Sequence, residues 1–398
     1  MIEHRSGTLD LLGGDFYGYQ SLLSDEERAT LLRLRSFLAD KAAPIVDDYW
    51  MRSEFPHELI PGLAELDIVG IQREGAPGPT ASRLLIGFLA LELAHCDPSL
   101  NSFIGVQAGL AMGAIDVGGD DQQRQRWLPA MAKLDKIGAF GLTEPHGGSD
   151  VAGGLETTAR PDGDEWVLDG AKRWIGNATF ADLVVIWARV TDRDTIHGFV
   201  VEQGTPGFEV KKMEGKLGLR ITQNAEITLT GCRVPEANRL HNVDSFSAIS
   251  DVLARTRAGA AWASVGTMMA AYELALAYAG ERHQFGRPIA SFQMVQDLLV
   301  RMLGNVTASL GMAVRLAQLQ DGGRLSDSDS ALAKGYCSTR MREVVSWARE
   351  VLGGNGILID NHVGRFFNDA EALYSYEGTR EMNTLIVGRD ITGHSAFT

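Results

Sequence analysis

Cysteine is scarce: Cys96, Cys232 and Cys337 are the only three in 398 residues. None stands in a Cys-x-x-Cys pair or at ligand spacing from a histidine, so no metal site is expected, and the three read as reduced, buried thiols. Positive charge is also in deficit. With 37 Lys and Arg against 51 Asp and Glu, the formal charge is −14, which argues against a general surface for nucleic acid or anionic membrane and leaves only local basic pockets. No window holds about 18 uncharged apolar residues, the length of a bilayer-spanning helix. Residues 1–13 lack a basic-then-apolar leader pattern, and Ser395-Ala396-Phe397-Thr398 is not a peroxisomal address of the Ser-Lys-Leu type. A cytoplasmic protein without a membrane span is expected.

What the chain does have is enough apolar material for a large core, at 45% hydrophobic residues, and a length suggesting two or three domains. Ser24-Asp25-Glu26-Glu27 reads as a capping box, and Leu31, Leu34 and Leu38 follow at helical spacing. Similar spacing over 57–66, 83–95, 106–115 and 122–133, with punctuation at Gly75-Ala76-Pro77-Gly78-Pro79, predicts an N-terminal α-helical domain over residues 1–135. The texture then changes. Short β-branched and aromatic runs at 156–160, 166–168, 183–190, 198–202, 208–212 and 225–229, bounded by Gly, Pro, Asn and Asp, predict a middle antiparallel β domain over 136–245. Long helical patterns at 248–283, 292–320, 328–352 and 372–390 predict a C-terminal four-helix bundle over 246–398. The fold class is α+β, and no fixed repeat points to a solenoid.

One stretch near the C-terminus carries candidate chemistry: Tyr374-Ser375-Tyr376-Glu377-Gly378-Thr379-Arg380-Glu381-Met382-Asn383. A carboxylate beside tyrosines and a Gly-Thr turn can be desolvated until it becomes a proton acceptor. The same residues also make an ordinary helix start, and the decapeptide alone favours that plainer reading.

Four further motifs decide for the first reading. Phe140-Gly141-Leu142-Thr143-Glu144-Pro145-His146-Gly147-Gly148-Ser149-Asp150 resembles the flavin-facing signature of the acyl-CoA dehydrogenases and oxidases. Lys172-Arg173-Trp174-Ile175-Gly176-Asn177 resembles that family's second flavin loop, Arg282-His283-Gln284-Phe285-Gly286-Arg287-Pro288 its arginine-phenylalanine-glycine signature, and Val351-Leu352-Gly353-Gly354-Asn355-Gly356 the glycine turn that follows. Tyr376-Glu377-Gly378-Thr379 falls where the family often carries its catalytic glutamate. The five occur in the family's order, from roughly residue 20 to 395. The nearest branch resembles the glutaryl-CoA dehydrogenases and short-chain acyl-CoA oxidases, on residues 174–182 and 385–393.

The resemblance implies an FAD enzyme that converts a short- or medium-chain acyl-CoA to its 2,3-enoyl form. Glu377 would take the α proton and the flavin N5 the β hydride. Phe140, Leu142, Thr143 and Ser149 would line the isoalloxazine, with Trp174, Ile175 and Gly176 near the ring. Arg282 and Phe285, Gln293 and the Gly353-Gly354 turn would hold the rest of the cofactor, partly from a neighbouring subunit, and Thr379 and Glu381 would meet it from the catalytic helix. Ser149, Asn101, Arg257 and Gly378 would border the substrate. A homotetramer built as a dimer of dimers, passing electrons to an electron-transfer flavoprotein, follows from the same likeness.

Without those motifs, Trp174 reads as a core tryptophan, Arg282 as a solvated charge and His283 as structural. Three positions depart from the family pattern. Asn101 stands where glutaryl-CoA dehydrogenases carry an arginine for the distal carboxylate, which points toward uncharged acyl chains. Gly176 replaces a hydroxyl near N5, and either opens space for dioxygen, as in the oxidases, or has its place filled by another group. Ala254 replaces an Asp or Asn near the CoA arm.

Overall fold

A computed structural model describes residues 12–72, 81–151, 153–193, 195–243 and 245–397. The Gly75 to Pro79 punctuation lies outside the described residues, as does most of the stretch read for a leader.

The first helices are α1 (Asp25–Phe37), α2 (Val46–Arg52), α3 (Ile60–Glu65), α4 (Arg83–Cys96), α5 (Pro98–Ile104), α6 (Gly113–Gly118) and α7 (Asp121–Ala132). α1 begins as expected. The Ser24 hydroxyl accepts from the Glu27 N–H at 3.3 Å, and the Glu27 carboxylate accepts from the Ser24 N–H at 3.0 Å. The helix expected at 106–115 is part of a longer run. Gly105–Met112 winds as a π-helix between α5 and α6, so that Pro98–Gly118 is continuous. By length and composition this 21-residue run is apolar enough to cross a membrane. Its apolar side chains have a place within the fold: Leu100, Phe103, Ile104, Ala111, Met112 and Ile115 are buried, each large one contributing about 1.5–3 kcal/mol.

Seven strands follow: β1 (Gly138–Gly141), β2 (Thr158–Asp162), β3 (Glu165–Ile175), β4 (Leu183–Val190), β5 (Thr195–Glu202), β6 (Phe208–Lys212) and β7 (Ala225–Pro235). The path runs β1-β4-β2-β3-β7-β6, with β5 on the other edge of β4. β2–β3, β3–β7, β4–β5 and β6–β7 are antiparallel, as the sequence predicts, whereas β1 and β2 both run parallel to β4 and share one of its edges. β4 is consequently buried along nearly its whole length, which explains its unbroken apolar sequence. β3 is longer than the 166–168 run suggests because its register shifts between Leu168 and Gly170 and between Lys172 and Ile175, which breaks the alternation.

The C-terminal part holds α8 (Ser247–Glu281), α9 (Gln293–Asp321), α10 (Asp327–Leu352), α11 (Val363–Ser375) and α12 (Arg380–Thr392). The first three match the predicted long helices to within a residue or two. The fourth does not: residues 372–390 are not one helix but the end of α11, a four-residue strap, Tyr376 to Thr379, and α12. Cys232 and Cys337 are buried free thiols, as expected, while Cys96 is half-buried.

Candidate active site

The strap exists because two consecutive residues turn left-handed. Glu377 has φ 55° and Gly378 φ 81°. Glycine takes that region freely, whereas glutamate does so at a cost and needs neighbours to hold it. They come from three elements. The Tyr376 N–H ends α11 on the Ala372 carbonyl at 3.0 Å, and the Thr379 hydroxyl starts α12 by accepting from the Met382 N–H at 3.3 Å. Asn383 Nδ2 donates to the carbonyls of Gly378 (2.8 Å) and Thr379 (3.0 Å), and Lys334 Nζ, from α10, to those of Tyr374 (2.8 Å) and Gly378 (2.7 Å).

The strap forms one wall of a cavity of about 880 Å³, with Glu377 among its lining residues. From α8 the Thr256 hydroxyl donates to Glu377 Oε2 at 2.9 Å. Burial pushes the Glu377 carboxyl above the usual glutamate range, and the Thr256 hydroxyl, Arg257 and Lys334 only partly offset it. Such a carboxylate is a stronger proton acceptor than one in water. Arg257 also lines the cavity, but its guanidinium is paired with Asp327.

The ends of β1 and β3, with the loop after β1, also line the cavity. Phe140, Leu142, Thr143 and Ser149 line the cavity from the first, and Trp174, Ile175 and Gly176 from the second. A buried ion pair fixes the loop after β1: Lys172 Nζ donates to Glu144 Oε1 at 2.7 Å and to the Leu142 carbonyl at 3.2 Å, while the Glu144 carboxylate accepts from the N–H groups of Glu156 (2.6 Å) and Thr157 (2.9 Å). Burial pushes the Lys172 ammonium down to about 8, and Glu144 pulls it back. Trp174 is no core residue; with φ 65° its indole is turned out, 54% exposed.

The third wall is the helical run of α5 to α6, which contributes Asn101, Ser102, Gly105, Val106, Gly109, Leu110 and Gly113. Gly105 and Gly109 bring bare backbone to it. A Cβ at Gly176 would meet Val106 Cγ2 at 3.2 Å, so a methyl group stands close beside the position of the missing side chain.

Twelve of the expected residues thus meet in one cavity: Asn101, Phe140, Leu142, Thr143, Ser149, Trp174, Ile175, Gly176, Arg257, Glu377, Gly378 and Thr379. Arg282, Phe285, Gln293, Gly353, Gly354 and Glu381 lie outside it and are exposed, Phe285 at 93%. Glu381 pairs with its neighbour Arg380 at 2.6 Å. Sequence reasoning passed over Thr256, Lys334, Val106 and the Lys172–Glu144 pair. Only the last had a signal, since both residues stand inside recognised motifs.

Comparison with known proteins bears on the family. The chain matches the acyl-CoA dehydrogenase N-terminal domain over residues 24–135, the middle domain over 139–232 and the C-terminal domain over 246–392. An acyl-CoA dehydrogenase of Bacillus subtilis is 32% identical over 365 residues, 90% of this chain and 96% of that protein. The mitochondrial short-chain specific acyl-CoA dehydrogenase of Rattus norvegicus is 32% identical over 93% of this chain and 91% of its own. Among solved structures, a glutaryl-CoA dehydrogenase from Mycobacterium smegmatis superposes with a TM-score of 0.92 at 38% identity, covering 96% of this chain and 98% of that one. A glutaryl-CoA dehydrogenase from the same organism in complex with FADH2 gives 0.92 at 31% over the same shares. A chain from a structure of the electron transferring flavoprotein of Acidaminococcus fermentans gives 0.89 at 28%, covering 94% and 99%. These matches span nearly all of the chain and all three of its parts, and the chain belongs to the acyl-CoA dehydrogenase family of enzymes.

Proposed function

We propose that the protein is an FAD-dependent dehydrogenase that removes the α proton and β hydride from a short- or medium-chain acyl-CoA, giving the 2,3-enoyl-CoA. The observation that carries this is Glu377, thrown into the cavity by the strap, bonded to Thr256 and made more basic by burial. A flavin suits the walls from β1 and β3. Phe140, Leu142 and Trp174 offer apolar and aromatic surface, and the buried Thr222 hydroxyl, which lines the same cavity, has no hydrogen-bond partner among the described residues. When bound there, FAD supplies the hydride acceptor that no side chain can be.

The protein's own part is to hold and move one proton. Glu377 takes it from the α carbon, and the main chain at Gly378, without a Cβ, lets the acyl chain pass close. In the family, the glutamate's N–H also stabilises the enolate oxygen, and the left-handed turn at Glu377 sets where that N–H points. Asn101 supports an uncharged acyl end, because a distal carboxylate would lie buried beside an amide rather than a cation. Gly176 favours an oxidase, and Val106 Cγ2 close beside it favours the dehydrogenase instead. Electrons would then leave to an electron-transfer flavoprotein. The exposed set Arg282, Phe285, Gln293, Gly353 and Gly354 supports a cofactor site completed by a second copy, and the family likeness extends the reading to a homotetramer, which we place in the cytoplasm.

Anaerobic mixing with acyl-CoAs of increasing length tests the reading. Bleaching of the flavin by butyryl- to octanoyl-CoA is expected, with slow peroxide release in air. Rapid peroxide would make it an oxidase, and a protein that takes up no FAD would be a non-catalytic member. Glu377→Gln should keep the flavin colour and lose reduction by several orders of magnitude, since the amide cannot take the proton. It should also raise the thermal midpoint. A carboxyl pushed up by burial favours the fold while protonated and costs stability once pH exceeds the ordinary glutamate value, a cost that glutamine does not carry.

A further inference from the structure

Lys334 lies on α10 with its side chain wholly buried. Both of its hydrogen bonds go to main-chain carbonyls, Tyr374 at 2.8 Å and Gly378 at 2.7 Å, on either side of Glu377. An ammonium in such a place is costly. Burial pulls it down to about 8, with Glu377 and Glu381 holding it up and Arg257 pushing it further down; no other charged group acts on it among the described residues. The sign follows from linkage. Between that value and the ordinary lysine range the unfolded chain binds more protons than the folded one, so stability rises with pH, and at neutral pH the charge works against the fold. The Gly378 carbonyl alone does not require it, because Asn383 Nδ2 also reaches that oxygen at 2.8 Å. Its charge does act on the candidate base, drawing the Glu377 carboxyl downward against burial.

We propose that Lys334 is a positioning residue for the reaction, its ammonium holding the main chain on both sides of Glu377 and adding its charge to those of the groups around that carboxylate. The inference rests on Glu377 as the base. The groups that face Lys334 are Glu377 on the strap, Glu381 on α12, Arg257 on α8 and, from α11, the Tyr374 carbonyl. α10 thereby joins the chemistry without touching substrate. Charge at 334 would restrain Glu377 below the basicity that burial alone would give it, keeping it ionised in a closed site.

The rate of anaerobic flavin reduction by butyryl-CoA, followed from about pH 5.5 to 9.5, reads this directly. In the wild type it should rise through the Glu377 titration and then show a second increase, on the order of threefold, as Lys334 loses its proton and Glu377 becomes a stronger base. Lys334→Gln keeps a donor for the carbonyls without charge, and Lys334→Met keeps neither. Both should abolish the second increase and move the acid limb up by roughly one pH unit, with flavin retained. An acid limb unmoved in Lys334→Gln would show that the residue is only a strut, and a single flat plateau in the wild type would overturn the proposal without any variant. Failure of every acyl-CoA to bleach the flavin at any pH is a different result. It would sink the dehydrogenase reading itself, and this inference with it.

Discussion

Thr256 illustrates what one residue can add to a site and how little of it shows in a sequence. Its hydroxyl is the only side-chain donor within 2.9 Å of the Glu377 carboxylate among the described residues, although the two stand 121 positions apart. Valine has the same shape without the donor. Thr256→Val should leave the ionised carboxylate less supported in its buried place, and a hydrogen bond to a charged group is worth about 1.5–3 kcal/mol. The acid limb of flavin reduction is therefore expected to shift up by about one pH unit. The second increase near Lys334's titration should persist, which separates this variant from those at 334. Glu377 itself was legible only through the four other motifs, because its own decapeptide reads as an ordinary helix start. Thr256 was not: a threonine in a 35-residue helix looks the same whether its hydroxyl serves the helix or a partner. Lys334 is harder still to find, since a lysine in an amphipathic helix reads as solvated charge.

The strap is the element on which the site depends, and it is where periodicity misled. Apolar residues continue at helical spacing on both sides of Tyr376 to Thr379, so a single helix over 372–390 fits the pattern. Backbone conformation decides otherwise, and only Gly378 hinted at it. Left-handed φ is open to glycine and costs other residues about 1–2 kcal/mol. Gly378→Ala should add that strain beside Glu377, where φ 81° is required and the Asn383 side chain lies 3.2 Å from the new Cβ. Relaxation of the strap by even an ångström displaces the proposed base, so reduction by acyl-CoA is expected to fall on the order of tenfold to a hundredfold. Flavin content should stay near that of the wild type, which absorbance at the flavin band checks. The same kind of local exception explains the π-helix over Gly105–Met112 and the irregular β3. At Gly170, for instance, a Cβ would come within 2.7 Å of Thr157, a close approach that hydrophobic spacing does not encode.

At the scale of the molecule, the order of helices, strands and long helices was plain in the sequence, because length and spacing distinguish a four-residue strand from a 35-residue helix. What ties the parts together was not. Asp369 of α11 accepts from Trp50 Nε1 of α2 at 2.9 Å and from the Leu219 N–H at 2.7 Å, so one buried carboxylate gathers three distant segments around the cavity. Burial pushes it up to about 7, which no pattern of neighbours in the chain announces. The exposed apolar side chains are the remaining large feature. Phe285 is 93% exposed, Met294 84%, Ile357 71% and Val300 68%, and they fall among the same segments as the proposed cofactor residues that lie outside the cavity. A surface of that kind is seldom left in water. If a second copy covers it and completes the flavin site, Phe285→Asp places a charge in that contact and should have two linked effects. Light scattering should give a smaller assembly than the fourfold multiple of the 43.1 kDa chain expected for the wild type, and flavin should be lost on dilution in step with the loss of mass. A wild type that is monomeric and keeps its flavin would overturn the shared site, and a Phe285→Asp protein that dissociates yet stays yellow would place the whole cofactor within one chain.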